Sequence, residues 1–375
     1  MAQDPARRTP LTGLLIERIK QEGPLTFAAF MEACLYHPEH GYYTRPAQEG
    51  SDYFTSPDTG SLFGRLLARQ LREMWEALGQ PKKFTLMECG AGAGRLTAQI
   101  LNAAVEQAHL FALALRAVVV ERSPGRREQA RAALAEFGDQ VELAHRLPAL
   151  PANGCVLSNE LLDALPVRRV VQRGERLREI YVGTRGDELV EIEGEVSAPS
   201  PAAYLRKYGA PLEEGQFAEV NQAALDWLGG AAAALDRGFV LTIDYGYKAR
   251  ELYGPAHQRG TLMAYRQHRA HEDWLAWPGE QDLTAHVNFT ALEERGSELG
   301  LETLGLRDQA GFLLALARAG EFRDMESAGS GEPEHIGARL SLRQLIHPEG
   351  MGERFKVLIQ AKRVKGARLS GLDPL

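Results

Sequence analysis

Three glycines stand within five positions of the stretch LMECGAGAGRL, at Gly90, Gly92 and Gly94. An acidic residue, Glu88, precedes the first glycine by two positions, and Ala91 lies between the first two glycines. The stretch begins with an apolar run and continues into a helical pattern, so the N–H groups of the loop and of the helix N-terminus face one pocket. Because glycine has no side chain, a ligand can contact the main chain there.

The spacing of this loop distinguishes two classes of ligand. Dinucleotide-binding loops follow G-x-G-x-x-G, but the sixth position counted from Gly90 is Arg95. An acid before the glycines suits a cationic ligand such as S-adenosylmethionine better than a pyrophosphate. Glu121 ends the next predicted strand, AVVVE, and can accept hydrogen bonds from both ribose hydroxyls. These features favour S-adenosylmethionine over NAD; the alternative is a tight turn in which Glu121 caps a helix.

A second set of polar residues, Ser158, Asn159, Glu160 and Asp163, follows an apolar strand in LSNELLDALP. Ligands of parallel sheets bind at the carboxyl ends of strands, so we expect Ser158 and Asn159 to contact the cofactor. Glu160 and Asp163 are candidate catalytic residues. A guanidinium is a poor nucleophile, and carboxylates can orient it and take its proton. The alternative interpretation is a capped helix start.

Strand patterns alternate with helical patterns around these motifs, which predicts an α/β fold with a mostly parallel sheet. The predicted strands include KFTLMEC, LRAVVVE, GCVLSNE, GFVLTIDYGY and FKVLIQAKR. The N-terminus predicts two helices with a break at Gly23-Pro24. The predicted domains are residues 1–80, helical with a long loop; 81–166, the first part of the core; 167–235, a hairpin and helical insertion; and 236–365, the remainder of the core with a second insertion at about 261–347.

Composition excludes several classes of function. The formal net charge of −7 disfavours binding to nucleic acid. The three cysteines, Cys34, Cys89 and Cys155, form no CxxC pair, which argues against a zinc ribbon and suits a reducing compartment. We expect no metal site. The chain shows neither a secretory signal nor a membrane-spanning apolar run. These features favour the cytoplasm of a bacterium, or the mitochondrial matrix if the protein is eukaryotic.

Several longer motifs carry a resemblance to a known family. They are YHPEHGYYT, DYFTSPDTGSLFG, SNELLDALPV, IDYGY and DLTAHVNF. Over about residues 11–365 the chain resembles the MidA-like family of class I S-adenosylmethionine-dependent methyltransferases, although the family often carries a proline where Ala93 stands. The resemblance implies a seven-stranded Rossmann-like sheet whose last strand is antiparallel. In mitochondrial members it implies methylation of a protein arginine that assists assembly of respiratory complex I.

The resemblance also implies roles for residues outside the first two motifs. The segment Tyr53–Pro57 would fold over the methionine end of the cofactor, with hydrogen bonds from Thr55 and Ser56; the alternative is a surface loop. Asp244 would line the acceptor side or cap a helix. His286 would be a general base or substrate contact, or would be structural.

Together these observations predict an S-adenosylmethionine-dependent methyltransferase that acts on an arginine of a protein substrate. The alternatives are a small-molecule O- or N-methyltransferase and an assembly chaperone that binds S-adenosylmethionine without turnover. An NAD-dependent oxidoreductase is disfavoured by the glycine spacing. The two insertions favour a large substrate or a homodimer interface.

Overall fold

The computed structural model describes residues 8–44, 57, 60–267, 269–317, 343, 345–347 and 352–374. By its internal contacts the chain forms two compact units, each assembled from three stretches. The core unit comprises Phe54–Leu161, Leu228–Tyr245 and Arg295–Leu375. The second unit comprises Met1–Tyr53, Leu162–Trp227 and Gly246–Glu294.

The elements are numbered in chain order. The helices are α1 (Pro10–Glu22), α2 (Phe27–Tyr36), α3 (Leu62–Ala77), α4 (Arg95–Gln107), α5 (His109–Ala114), α6 (Pro124–Ala133), α7 (Ser200–Tyr208), α8 (Gln222–Ala233), α9 (Ala249–Leu252), α10 (Phe289–Glu298) and α11 (Gln309–Ala317). The strands are β1 (Leu25–Thr26), β2 (Phe84–Cys89), β3 (Leu115–Val120), β4 (Val141–Ala144), β5 (Ala152–Asn159), β6 (Arg168–Arg173), β7 (Arg176–Arg185), β8 (Glu188–Glu195), β9 (Phe217–Val220), β10 (Leu235–Tyr247), β11 (Met263–Arg266), β12 (Arg269–His271), β13 (Asp282–Thr284), β14 (Val287–Asn288), β15 (Leu301–Asp308) and β16 (Phe355–Lys362).

The core unit contains the main sheet, whose strands lie in the order β15-β16-β10-β5-β2-β3-β4. Strands β4, β3, β2, β5 and β10 are parallel to one another. The last strand in the chain, β16, runs antiparallel to both of its neighbours. The two-residue strand β14 pairs in parallel with the end of β10 as an eighth strand. The seven strands in continuous order form the predicted Rossmann-like α/β sheet with an antiparallel last strand, and the fold prediction is confirmed.

The core of this unit forms because its central strands are continuously apolar. Strand β2 is buried at every position, as expected for a strand covered on both faces. Leu86 and Leu157 of the sheet pack in one cluster with Leu66 and Leu71 of α3 and Ile100 of α4. Burying each such side chain contributes roughly 1.5–3 kcal/mol. The carboxyl ends of β2, β3, β5 and β10 are thereby held in register at one edge of the sheet.

The second unit contains a five-stranded antiparallel sheet of order β1-β7-β6-β9, with β8 also paired to β7. The hairpins predicted after residue 167 are therefore confirmed. Helices α1 and α2 are separated at Gly23-Pro24, as predicted, and Thr9 begins α1 with a capping box. Phe27 and Phe30 pack with Val167 and Leu283 in the core of this unit.

The predicted second insertion, at about residues 261–347, contains elements that pack in the core unit. Within residues 261–347, strand β15 belongs to the main sheet and α11 packs in the core unit. Strand β15 is an edge strand with mostly half-exposed residues, so its sequence, LETLGLRD, lacks a strong apolar signal. The predicted domain limits run consecutively along the chain and stay a prediction, whereas the contacts divide the chain into interleaved stretches.

Among the residues the structure describes, no helix combines the length and apolar character needed to cross a membrane. The same residues contain no group of three or more His, Cys, Asp or Glu side chains placed to hold a metal ion.

Candidate active site

The glycine loop connects β2 to α4 at the carboxyl edge of the main sheet. The N–H of Gly90 donates to the carbonyl of Val120 at 2.9 Å, so the loop is attached to the end of β3. Gly90, Gly92 and Gly94 all have positive φ angles, of 71°, 55° and 77°. Side chains are strained in this region of conformational space, which explains the three glycines locally.

The surroundings of the three glycines differ. A Cβ atom on Gly90 would lie 2.8 Å from Cδ1 of Leu161, and one on Gly94 would lie 2.8 Å from Cδ1 of Leu134. A Cβ atom on Gly92 would meet no atom within 4 Å. Packing therefore accounts for the first and third glycines, whereas Gly92 borders open space that a ligand can occupy.

Glu121 is brought directly to this loop. One carboxylate oxygen accepts the N–H of Gly92 at 2.9 Å, and the other accepts the N–H of Ser123 at 2.7 Å. A carboxylate has about four acceptor positions, so two remain for the hydroxyls of a ribose. The N-cap of α6 is Ser123, whose hydroxyl accepts the N–H of Arg126 at 3.3 Å, so Glu121 bonds the capping residue rather than capping the helix itself. Glu121 thus joins the loop to the next helix and keeps acceptor capacity.

Glu88 lies beneath the loop and is buried. Its carboxylate accepts a hydrogen bond from the hydroxyl of Thr97 in α4. The pKa of Glu88 is raised to about 7, mainly because burial disfavours the charged form. The hydrogen bonds from Thr97 oppose this shift, and the charge of Glu121 adds to it. A cation bound nearby would favour the ionised form, so the arrangement is compatible with a positively charged ligand. Contact between Glu88 and the ligand stays a prediction.

Ser158 and Asn159 end β5, next to β2 and β10. The Ser158 side chain is fully buried, and among the described residues its hydroxyl has no hydrogen-bond partner. Asn159 donates from Nδ2 to a carboxylate oxygen of Glu160 at 3.1 Å, while its Oδ1 is buried and has no partner among the same residues. Buried polar atoms normally have partners, so these two atoms are candidate contacts for a polar ligand.

Glu160 has an unusual backbone conformation. Its φ angle is 51°, in the left-handed region that residues other than glycine, asparagine and aspartate rarely adopt. Its N–H donates to the carbonyl of Ile243 at 3.0 Å, which attaches it to β10. Such a conformation costs of order 1–3 kcal/mol and is concentrated at functional sites. The surrounding structure therefore holds the Glu160 carboxylate in a defined place.

Asp244 completes this attachment. It is fully buried, and its carboxylate accepts the N–H of Leu161 at 3.2 Å and the N–H of Tyr245 at 2.9 Å. The sequence left open whether Asp244 lines the acceptor side or caps a helix. The described contacts give it a third role, because it fixes the chain that leaves Glu160.

Asp163 belongs to the second unit, where its segment is held by contacts with distant motifs. The carbonyls of Leu162, Asp163 and Ala164 accept hydrogen bonds from Asn221 Nδ2 (2.7 Å), Ala285 N (2.9 Å) and the Tyr36 hydroxyl (3.0 Å), respectively. The motifs SNELLDALPV, DLTAHVNF and YHPEHGYYT therefore meet here. The catalytic role of Asp163 stays a prediction.

His286, also in the second unit, lies at the end of a buried polar network. Its backbone N–H donates to the hydroxyl of Thr261 at 3.0 Å, and that hydroxyl donates to Glu219 at 3.2 Å. Glu219 is paired with Arg169, whose side chain is only 2% exposed. The guanidinium of Arg169 also binds Glu191 at 2.7 Å. The network fixes the backbone at His286, while the role of its ring stays a prediction.

The sequence does not predict three features of the site: the bond from Asn221 to the carbonyl of Leu162, the bond from Leu161 to Asp244, and the buried ion pairs of Arg169. The signal for them was weak, because each acts on a segment far away in the chain. Thr55 and Ser56, predicted to cover the cofactor, lie outside the described residues.

The residues of the core unit fit S-adenosylmethionine. Gly92 leaves space at the main chain, and Glu121 keeps acceptor positions suited to ribose hydroxyls. Ser158 and Asn159 add buried polar atoms at the end of the neighbouring strand. When bound, this cofactor supplies an electrophilic methyl group.

Comparisons with known proteins agree with this site. Residues 66–307 match the model of the family described as "Putative S-adenosyl-L-methionine-dependent methyltransferase". The protein arginine methyltransferase NDUFAF7 of mouse mitochondria is 28% identical, with 96% of this chain and 86% of the relative covered. The human protein is 27% identical with the same coverage.

Among solved structures, a protein from Burkholderia thailandensis bound to S-adenosyl-homocysteine has a TM-score of 0.87 and 31% identity, covering 100% of this chain and 98% of the other. A second crystal structure from this organism has a TM-score of 0.85 and 32% identity, covering 99% and 97%. The match extends through the glycine loop and both strand ends described above, and the chain belongs to this family of S-adenosylmethionine-dependent methyltransferases.

Proposed function

We propose that this methyltransferase acts on an arginine side chain of a protein. The observation that carries the proposal is the position of Glu160, a carboxylate held in a strained conformation at the carboxyl end of β5. The names of the mouse and human relatives support the same acceptor.

The chemistry requires a group that orients a guanidinium and removes one proton. As the terminal nitrogen of the acceptor forms its bond to the methyl carbon, the bond from that carbon to sulfur breaks and the electron pair stays on sulfur. The nitrogen then loses a proton, which Glu160 accepts as general base. Before transfer, the carboxylate holds the guanidinium by charge-assisted hydrogen bonds. Most of the remaining rate enhancement comes from alignment of the two reactants.

Asn159 has a positioning role in this proposal. Its Nδ2 donates to one oxygen of Glu160 at 3.1 Å, which limits rotation of the carboxylate. The cofactor would be held by Gly92, Glu121 and Ser158, with Glu88 beneath the loop. Asp163 and His286 are proposed to act on the acceptor.

The test is transfer of a labelled methyl group from S-adenosylmethionine to proteins in a lysate of cells that lack this protein. We expect a labelled protein that yields methylarginine on hydrolysis. Glu160→Gln keeps the shape of the side chain but cannot accept the proton, so we expect transfer to fall by about 10²–10⁴ while the affinity for S-adenosyl-homocysteine changes less than about twofold.

Other outcomes would contradict the proposal in distinguishable ways. Label in small molecules would indicate a small-molecule methyltransferase. Cofactor binding without any transfer would indicate a chaperone. Wild-type transfer by Glu160→Gln would exclude the proposed role of Glu160 but leave the methyltransferase activity intact.

We also infer a homodimer located in the bacterial cytoplasm, or in the mitochondrial matrix if the protein is eukaryotic. The antiparallel sheet of the second unit supports a protein-binding surface, because β8 pairs with β7 at the edge of that sheet. Light scattering on the full chain measures its mass, and a monomer at micromolar concentration would contradict the dimer. Fractionation of the source cells tests the location.

A further inference from the structure

The exposed apolar side chains of the core unit are concentrated at one edge of its sheet. Among its described residues, four large apolar side chains are more than half exposed: Val105 (63%), Leu110 (69%), Leu113 (60%) and Leu150 (82%). Val105 lies in the last turn of α4, which begins at the glycine loop and returns to the start of the next strand. The two leucines of α5 directly precede β3, and Leu150 precedes β5. All four therefore lie towards the amino ends of the parallel strands, opposite the glycine loop.

Positively charged side chains lie at the same edge. Four exposed cations are within two residues of the start of a parallel strand: Lys82, Lys83, Arg116 and Arg237. Their strands, β3, β2 and β10, lie within a run of four neighbours that also includes β5. Since neighbouring strands are about 4.8 Å apart, the cations span roughly 15 Å. The guanidiniums of Arg116 and Arg237 donate to main-chain carbonyls, which do not neutralise their charge.

Acidic residues near the strand starts do not cancel this charge. Asp236 is already paired with another cation, Arg363, at 2.7 Å. The exposed acids Asp139, Glu142 and Glu302 lie in or beside the outer strands β4 and β15. The four central strands therefore keep an excess of positive charge at their amino ends. We refer to the four apolar side chains and the four cations together as the basal edge.

We propose that the basal edge binds the surface of a membrane that contains anionic lipids. The leucines enter the boundary between headgroups and acyl chains, and the lysines and arginines contact the lipid phosphates. Binding of this kind combines burial of apolar area with attraction between cations and anionic lipids. Long basic side chains can bury their methylene groups while their charges stay at the headgroups. The inference goes beyond the proposed function, because neither the cofactor nor the transfer of a methyl group requires this surface.

Two other occupants fit the basal edge less well. A second copy in a symmetric dimer would place the same cations opposite one another, and like charges repel. The core of a protein interface is enriched in aromatic residues and depleted of lysine, whereas the basal edge consists of aliphatic and basic side chains. Its apolar groups also stand on separate segments, α4, α5 and the loop before β5. This distribution suits a fluid surface, into which each group can insert by itself.

The test is sedimentation of the full-length protein with lipid vesicles. One set of vesicles contains phosphatidylcholine alone, and the other contains phosphatidylcholine and phosphatidylglycerol in equal parts. We expect saturable binding to the mixed vesicles, at least about tenfold tighter than to the neutral ones. Added salt should weaken this binding, because salt screens exposed charges.

Two double variants separate the contribution of charge from that of apolar contact. Lys82→Gln with Lys83→Gln keeps the approximate length of both side chains without their charge, and should weaken binding to the mixed vesicles about tenfold. Leu110→Gln with Leu113→Gln removes apolar groups that insert into the lipid, and should weaken binding by about the same factor. Because all four side chains are exposed, each variant should unfold in urea at the wild-type midpoint.

Matched controls lie in the second unit. Arg176→Gln with Arg185→Gln removes two exposed cations of β7. Leu14→Gln removes a leucine of α1 that is 48% exposed. Both controls should bind the mixed vesicles like the wild type.

Equal binding to the two kinds of vesicle, absence of saturable binding, or wild-type binding by either basal-edge variant would each overturn the inference. If only the lysine variant lost binding, charge alone would act, and an acidic protein would be the better occupant. If light scattering showed that the leucine variant dissociates a dimer, a second copy would cover this edge and the inference would be wrong.

Discussion

The two compact units differ in how far apart in the chain their interacting residues lie. In the core unit, Glu121 and Gly92 are separated by 29 positions and belong to consecutive strand–loop–helix segments. In the second unit, the hydroxyl of Tyr36 bonds the carbonyl of Ala164 across 128 positions, and that of Tyr43 bonds Asp282 across 239. The glycine loop and Glu121, which we propose to bind the cofactor, are thus positioned by contacts between consecutive segments, whereas the second unit depends on contacts between distant segments.

This contrast predicts that substitutions in the long-range contacts of the second unit will act mainly on stability. Arg169→Met should have the largest effect, because it leaves the buried carboxylate of Glu219 without its cation. We expect the free energy of unfolding to fall by about 3–5 kcal/mol, measured by urea denaturation.

A matched control for Arg169→Met is Arg363→Met. Arg363 pairs with Asp236 at 2.7 Å, but both side chains are more than half exposed. This pair should contribute less than about 1 kcal/mol. Similar losses of stability in the two variants would remove the difference that we draw between the units.

In the core unit, Gly92→Val should act mainly on ligand affinity. The added side chain fills the open space beside the main chain, and we expect the affinity for S-adenosyl-homocysteine to fall by at least about a hundredfold, or 2.7 kcal/mol. Calorimetry measures this directly. Gly138→Val is the control, since Gly138 has a similar φ angle of 50° and equally open surroundings. If Gly138→Val also lowered the affinity a hundredfold, backbone strain rather than the filled space at Gly92 would explain the effect.

The raised pKa of Glu88 gives a prediction about pH. An ordinary glutamate in the unfolded chain ionises near pH 4.5, whereas folded Glu88 ionises near 7. Between these values the folded state binds more protons, so the contribution of Glu88 to stability is present below pH 4.5 and is lost as pH rises through 7. Glu88→Gln cannot ionise, so its stability relative to wild type should rise by about 2 kcal/mol from pH 5 to 8.

Denaturant unfolding at several pH values without ligand tests this prediction. Glu142→Gln, at an exposed position of β4, serves as the control and should shift stability by less than about 0.5 kcal/mol at each pH. A pH-independent difference between wild type and Glu88→Gln would show that the carboxyl group ionises normally.

The smallest expected effect is that of Tyr36→Phe. It removes the 3.0 Å hydrogen bond to Ala164 while keeping the ring, and should cost about 1 kcal/mol of stability. Tyr181→Phe removes hydroxyl bonds to the carbonyl of Glu195 and the carboxylate of Glu179, which span only 14 and 2 positions, and should cost less. Equal effects would indicate that the bond across 128 positions has no special weight in the second unit.

The same contrast explains what the sequence could predict. The strands, the glycine loop and Glu121 were predictable because apolar runs, glycine spacing and helix caps are local signals. Strand β15 was not, since an edge strand has only one neighbouring strand and needs a weaker apolar pattern. Asp244 was noted, but not its bond to Leu161, because the two residues lie 83 positions apart.

The other features that the sequence did not predict involve residues whose type alone suggests a different environment. An arginine such as Arg169 is normally exposed, so nothing in its neighbours along the chain indicates that it is buried against Phe217 and Trp274. Likewise, nothing near Asn221 in the chain indicates that its side chain donates to the carbonyl of Leu162. The left-handed conformation of Glu160 was unpredictable as well, since glutamate normally avoids it.

The conformation of Glu160 bears on which amino acids this position can accept. Judged by main-chain preference alone, glycine, asparagine or aspartate would suit the position better. Each of these substitutes lacks either the acidic group or the length with which glutamate reaches beyond the strand end. Selection for thermal stability alone would therefore be expected to replace Glu160. In a library varied at this position, a screen for folding would enrich glycine, asparagine or aspartate, and a later screen for turnover would enrich glutamate.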